Sequence, residues 1–256
     1  EINDLEAAIT HFTLGVQLRH AGQARGSHEC LVGLALANHA LGRSEAAKAA
    51  LAQLDELHLD LSNNSLLAES TTLQRRLGLP VSDASLGTAL RRCAPIRMSA
   101  WYGWLETPAL TVVRSRLATA QVQDLASVEA LLNELWDAAV QLHKPARQAA
   151  VLALKALLHY RRKQRASALE LLRQSLRLAE KHGLVRSIAD AGPALVPLLA
   201  ELAAVEPSAW VDQVRAAVTE SPVKTPAVAG RRGLEPLAAP LTRREREVLL
   251  LLGQQQ

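Results

Sequence analysis

Gln148, Lys155, His159 and Arg162 follow one another at spacings of seven, four and three residues, the intervals that keep side chains on one face of a helix. The residues between them, from Ala146 to Leu158, are almost all apolar, so these four form a narrow polar and largely basic strip on an otherwise greasy helix. Such a strip suits binding of a peptide, a partner domain or a small effector, and the same residues also fit an ordinary solvated stripe. A second candidate lies at residues 97–106, where Trp101, Tyr102, Trp104 and Glu106 gather much of the scarce aromatic content. Flat rings with one polar atom each, beside a carboxylate acceptor, suit sugar rings, aromatic metabolites or a protein anchor, although such clusters more often plug a junction between irregular and regular helical packing.

Covalent chemistry finds little footing in the chain. There is no Gly-x-Ser-x-Gly elbow and no Gly-x-x-x-x-Gly-Lys-Ser/Thr loop, and no paired Glu-x-x-His motifs of the kind a di-iron bundle needs. The eight histidines lack metal-ligand spacing. His11 and His20 are too far apart for one helical face, and His28, His39, His58, His143 and His182 fall near expected helix ends as surface or capping residues. The expectation is a binding protein rather than an enzyme, with no metal and no cofactor held by these residues. The formal charge of +4 and pI near 9.4 are modest for 256 residues and do not by themselves imply a nucleic-acid partner. Cys30 and Cys93 lie far apart without zinc-site neighbours, which favours free thiols and a cytoplasmic setting. No apolar run reaches membrane-spanning length.

The elements that would position these residues are helices throughout. Aromatic residues make up 3% of the chain while Ala and Leu dominate, no stretch alternates apolar and polar residues over strand length, and Gly and Pro fall mainly between helical blocks. The helices pair. Residues 108–119 with 126–143 are followed by 145–162 with 166–182, and the second pair repeats the first at an offset of 41 residues: Leu110 on Val151, Val113 on Leu154, Leu117 on Leu158, Leu131 on Leu172, and Leu135 on Leu176. Arg114 takes the place of Lys155 in that register and joins the binding candidates. The helix over 145–162 is apolar nearly all round and must be covered on more than one side. By contrast, 166–182 turns Ala168, Leu169, Leu172, Leu176 and Ala179 inward and Glu170, Arg173, Arg177 and Lys181 outward. Pro145 at the first turn and Gly183 past the second helix punctuate that hairpin.

Residues 27–41 and 44–58 form an earlier pair. Their turn, Leu41-Gly42-Arg43-Ser44-Glu45-Ala46-Ala47, resembles the inter-helix turn of tetratricopeptide repeats, with Gly42 as a C-cap and Ser44 as an N-cap. The expected fold is therefore all-α, with tetratricopeptide-like helical hairpins stacked into a right-handed superhelix, an α-solenoid. Between residues 60 and 100 the repeat register is not readable.

Two further stretches carry resemblances. Leu241-Thr242-Arg243-Arg244-Glu245-Arg246-Glu247-Val248-Leu249 opens with Thr242 placed as an N-cap and Glu245 three residues on, a capping box before an apolar stripe. It resembles the start of the first helix of the LuxR-type helix-turn-helix domain. Residues 187–202 resemble the segment that follows the last repeat in the large ATP-binding, MalT-like LuxR regulators, matching Asp190, Gly192, Leu195, Leu198 and Leu199 with Ile188 in place of an aromatic residue. The resemblance implies a helical-repeat domain over 1–220 that binds a small-molecule inducer or a regulatory protein. It further implies a Pro/Gly-rich linker over 221–240 and the truncated first helix of a DNA-binding domain over 241–256. DNA would then be reached only through residues after this helix, nucleotide chemistry would belong to an upstream ATPase module, no membrane would be involved, and self-association is open. A general tetratricopeptide-type interaction scaffold with no small ligand is the alternative.

Overall fold

The computed structural model describes residues 3–18, 24–61, 64–92, 108–119 and 125–220. The aromatic candidates Trp101, Tyr102, Trp104 and Glu106, together with Cys93, the 221–240 linker and the motif at Leu241, lie outside the described residues. The chain divides into compact units of residues 1–225 and 226–256, and every described residue belongs to the first.

Twelve α-helices are present among the described residues, with no strand. They are α1 (Leu5–Gln17), α2 (Ala24–Ala40), α3 (Ser44–Leu61), α4 (Asn64–Arg76), α5 (Asp83–Arg92), α6 (Pro108–Thr119), α7 (Leu125–Gln141), α8 (Pro145–Arg161), α9 (Arg165–His182), α10 (Val185–Ala189), α11 (Val196–Val205) and α12 (Ala209–Glu220). A 3-10 turn over Pro193–Leu195 precedes α11. Successive pairs α2/α3, α4/α5, α6/α7 and α8/α9 are hairpins, and their leading helices stack in series, α4 on α6, α6 on α8 and α8 on α10. The expected hairpins over 108–182 are all present. The segment between 60 and 100, unreadable in sequence, supplies a further hairpin, α4/α5. None of the helices is long and apolar enough to cross a membrane among the described residues.

The hairpins share one form of punctuation. After α2, α4, α7, α8 and α9, the residues Gly42, Gly78, His143, Lys163 and Gly183 take positive φ of 50–75°. In each case the next amide donates back into the last turn: Arg43 to Asn38, Leu79 to Gln74, Lys144 to Ala139, Gln164 to His159 and Leu184 to Ala179, at 2.8–3.0 Å. These bonds satisfy carbonyls that the helix leaves without partners. Glycine takes this left-handed conformation without a Cβ penalty, whereas Lys163 bears one. Lys163→Gly is therefore expected to stabilise the domain by about 0.5–1 kcal/mol, read as a higher urea midpoint. Ser44, expected as the cap of α3, is its first helical residue; Arg43 precedes it and its carbonyl accepts from Ala47 at 3.0 Å.

Burial follows the repeat. Leu110 and Val151, Val113 and Leu154, Leu117 and Leu158, and Leu135 and Leu176 are buried as matched pairs, and only Leu131 is partly buried where its partner Leu172 is fully buried. Nine residues of α8, from Ala149 to Leu158, are buried, because α7, α9 and α10 pack around it. In contrast, α9 buries one face: Ala168, Leu172, Ser175, Leu176 and Ala179. Ser175 tolerates that position by donating to the Ala149 carbonyl at 2.8 Å. Two apolar cores result, one built on Leu31, Val32, Leu54 and Leu73, the other running from Ala109 to Val218. Helix α1 buries no residue fully. It lies against α2 where Gly15 faces Cys30 and Gly33 faces the Phe12 ring, approaches that a Cβ would block, and Arg43 of the α2–α3 turn pairs with Glu6.

Candidate functional site

The strip on α8 is brought together with α7 rather than left as an open row. Arg162, just past the end of α8, donates to Glu129 at 2.8 Å, and that hydrogen bond is the main reason the Glu129 carboxyl sits below its usual range. The Lys155 ammonium lies 5.5 Å from the centroid of the Trp136 ring, a cation–π contact. Burial pulls the lysine pKa down against the opposing charges of Asp137 and Glu129. His159 stands near enough to act on Glu129 as well, and its Nδ1 is buried with no hydrogen-bond partner among the described residues. Gln148 stands apart at the other end of α8, where its amide donates to the Ala139 carbonyl at 3.0 Å and ties α8 to the last turn of α7. Lys155, His159 and Arg162 thus meet as expected, with Glu129 and Trp136 as partners that periodicity within one helix could not supply.

Arg114 goes elsewhere. The loop after α10 carries Asp190, whose side chain is 19% exposed and whose two oxygens accept from two different helices: Oδ2 from Arg76 at the end of α4, and Oδ1 from Arg186 of α10. Arg186 also reaches Oδ1 of Asn3 and the carbonyl of Ala217, each at 3.5 Å. Arg114 of α6 contributes its positive charge to the same carboxylate. Burial alone would raise the Asp190 pKa; the fields of Arg76, Arg186 and Arg114 and the hydrogen bond from Arg186 outweigh it and hold the carboxyl below the ordinary aspartate range. Residues from 3 to 217 in the chain therefore converge on one polar hub. Beside it, Arg75 donates to Ser115 Oγ at 3.0 and 3.2 Å and ties α4 to α6.

Gly192 explains why Asp190 can sit there. Its φ of 98° lies in the region that favours glycine, and it turns the chain directly from α10 into the 3-10 turn over Pro193–Leu195, which ends on the buried Leu195. The Asp-x-Gly pairing noted in the sequence thus presents a carboxylate and redirects the backbone.

Two histidines depart from the expectation of surface or capping roles. His28 is 1% exposed and bonds Glu69 of α4 through Nε2 at 2.8 Å. His39, on the last turn of α2, faces the hub: burial, Arg76 and Arg186 lower its pKa while Asp190 raises it, and the net shift is downward. Its Nε2 is buried with no hydrogen-bond partner among the described residues. A histidine whose folded pKa lies below its unfolded value of about 6.5 binds fewer protons folded than unfolded, so stability falls as pH drops through that value. The urea midpoint is expected to fall between pH 7.5 and 5.5, and to fall less in His39→Gln. Equal slopes in the two chains would refute this.

Serial helical hairpins with stacked leading helices define a tetratricopeptide-like repeat protein. A family model described as the MalT-like TPR region matches residues 1–205, and the chain belongs to that family. A search of curated proteins finds no match.

Proposed function

We propose that this chain is the signal-sensing helical-repeat domain of a LuxR-family transcriptional activator. On this reading it binds an inducer or a regulatory protein and controls DNA binding by the domain whose opening the motif at Leu241 resembles. The observation that carries the reading is the MalT-like TPR match over residues 1–205. It is supported by the hub at Asp190, where side chains of α2, α4, α6 and α10 meet, so that a ligand there acts on several repeats together. A ligand shifts a conformational equilibrium only by its difference in affinity for the two states, and a site shared between repeats provides such a difference whenever the repeats move apart. The chain itself performs no reaction and holds no cofactor on this reading, and its place of work is the cytoplasm.

The test pairs isothermal titration of the chain against a panel of metabolites and candidate regulatory proteins with promoter-fragment binding by the whole protein. A compound or protein that binds the repeats and changes DNA affinity supports sensing. Binding of a protein partner without any change in DNA affinity favours a plain interaction scaffold, and no binding at all overturns the reading.

A further inference from the structure

We propose that the hub around Asp190 is the seat of a small oxyanion, the phosphate or carboxylate group of an effector, held by Arg76, Arg114 and Arg186 together with Nε2 of His39. The proposal deepens the sensing reading, on which it rests for its regulatory meaning, by naming the chemistry of the ligand.

Three guanidiniums from α4, α6 and α10 gather about one carboxylate. Both oxygens of that carboxylate are engaged, Oδ2 by Arg76 and Oδ1 by Arg186. Arg186 also reaches Oδ1 of Asn3 and the Ala217 carbonyl, each at 3.5 Å. His39 adds a buried ring nitrogen with no hydrogen-bond partner among the described residues, and a buried polar atom left so costs free energy that an incoming oxygen would recover. Guanidinium forks match carboxylate and phosphate oxygens in geometry as well as charge, which a neutral ligand would not use. Side-chain exposures of 12% at Arg76, 16% at Arg186 and 19% at Asp190 keep the hub in contact with solvent while offering little surface to a polypeptide. The other basic group sets Lys155 and Arg162 against Glu129, with Asp137 also acting on the lysine, whereas at the hub three guanidiniums act on one carboxylate.

Inorganic phosphate and citrate, each titrated into the whole chain at ionic strength held constant with sodium chloride, are the probes. Histidine-labelled protein reports the His39 imidazole by NMR, assigned with His39→Gln, and differential scanning calorimetry reports Tm. The expected result is a saturable shift of the His39 resonances with a rise in Tm. Arg114→Gln should weaken the apparent Kd about tenfold or more, as loss of a charge-assisted hydrogen bond does, while Lys48→Gln, at an exposed position of α3, leaves it unchanged. Saturation by phosphate alone identifies a phosphate group, and saturation by citrate alone a carboxylate. His39 resonances that follow phosphate and citrate no more than they follow chloride overturn the proposal in the unsubstituted chain. So does a phosphate response equal in Arg114→Gln. If both anions fail while a neutral inducer or a partner protein still changes promoter binding, the oxyanion is refuted and the sensing reading stands.

Discussion

Asp190→Ala is expected to cost the domain about 3 kcal/mol of stability, at the low end of the range for removing one member of a buried ion pair because the hub is partly open to water. Two guanidiniums hydrogen-bonded to that carboxylate, and a third acting on it, would be left as neighbouring like charges. The loss should show as a fall in the urea midpoint followed by circular dichroism. It should also change the shape of the transition, since Asp190 ties α4, beside the core built on Leu31 and Leu54, to α10 within the core running from Ala109 to Val218. Asp190→Asn keeps the shape and part of the hydrogen bonding and should cost less. A loss under about 1 kcal/mol in Asp190→Ala, the size of an exposed pair, would show that the hub is solvated and carries no structural weight.

Leu158→Ala should cost about 2–5 kcal/mol, the range for removing a fully buried leucine and leaving a cavity. Leu158 is 0% exposed in the last turns of α8, the helix covered by α7, α9 and α10, so little around it can relax inward. Val205→Ala at the end of α11, where Val205 is 68% exposed, provides the contrast and should stay within about 0.5 kcal/mol. Thermal or urea unfolding of both variants decides the matter. Equal effects would mean that α8 is not the central helix of its core.

What could be read in advance follows from how local the determining physics is. The hairpins over 108–182 were legible because their apolar residues recur at helical spacing and because Pro145 and Gly183 mark where one begins and the other stops. Matched burial at the 41-residue offset followed from the same pattern. The hairpin α4/α5 was not legible, because the covered face of α4 includes Ser70 and Thr72 and blurs the apolar period. Its partner α3 meets it through Asp55, which accepts from Ser70 and Gln74, a polar contact with no signature in spacing. The same distinction runs through the site. Lys155, His159 and Arg162 shared a face by arithmetic within one helix. Arg76 and Asp190 are 114 positions apart, and their meeting is a property of the stack, so no periodicity announces it. Asp190 and Gly192 stood out only through resemblance, and His39 carried no signal beyond its place near a helix end.

The lightly held first helix has a thermodynamic corollary. Since α1 covers its neighbour without sinking any side chain fully beneath the surface, its undocking requires far less free energy than loss of either core, and its amide protons should exchange with solvent ahead of all those in α8. Asn3, at its leading edge, is also one of the acceptors that Arg186 reaches. Undocking of the helix therefore removes one weak contact of that guanidinium, while its hydrogen bond to Asp190 holds it in the hub.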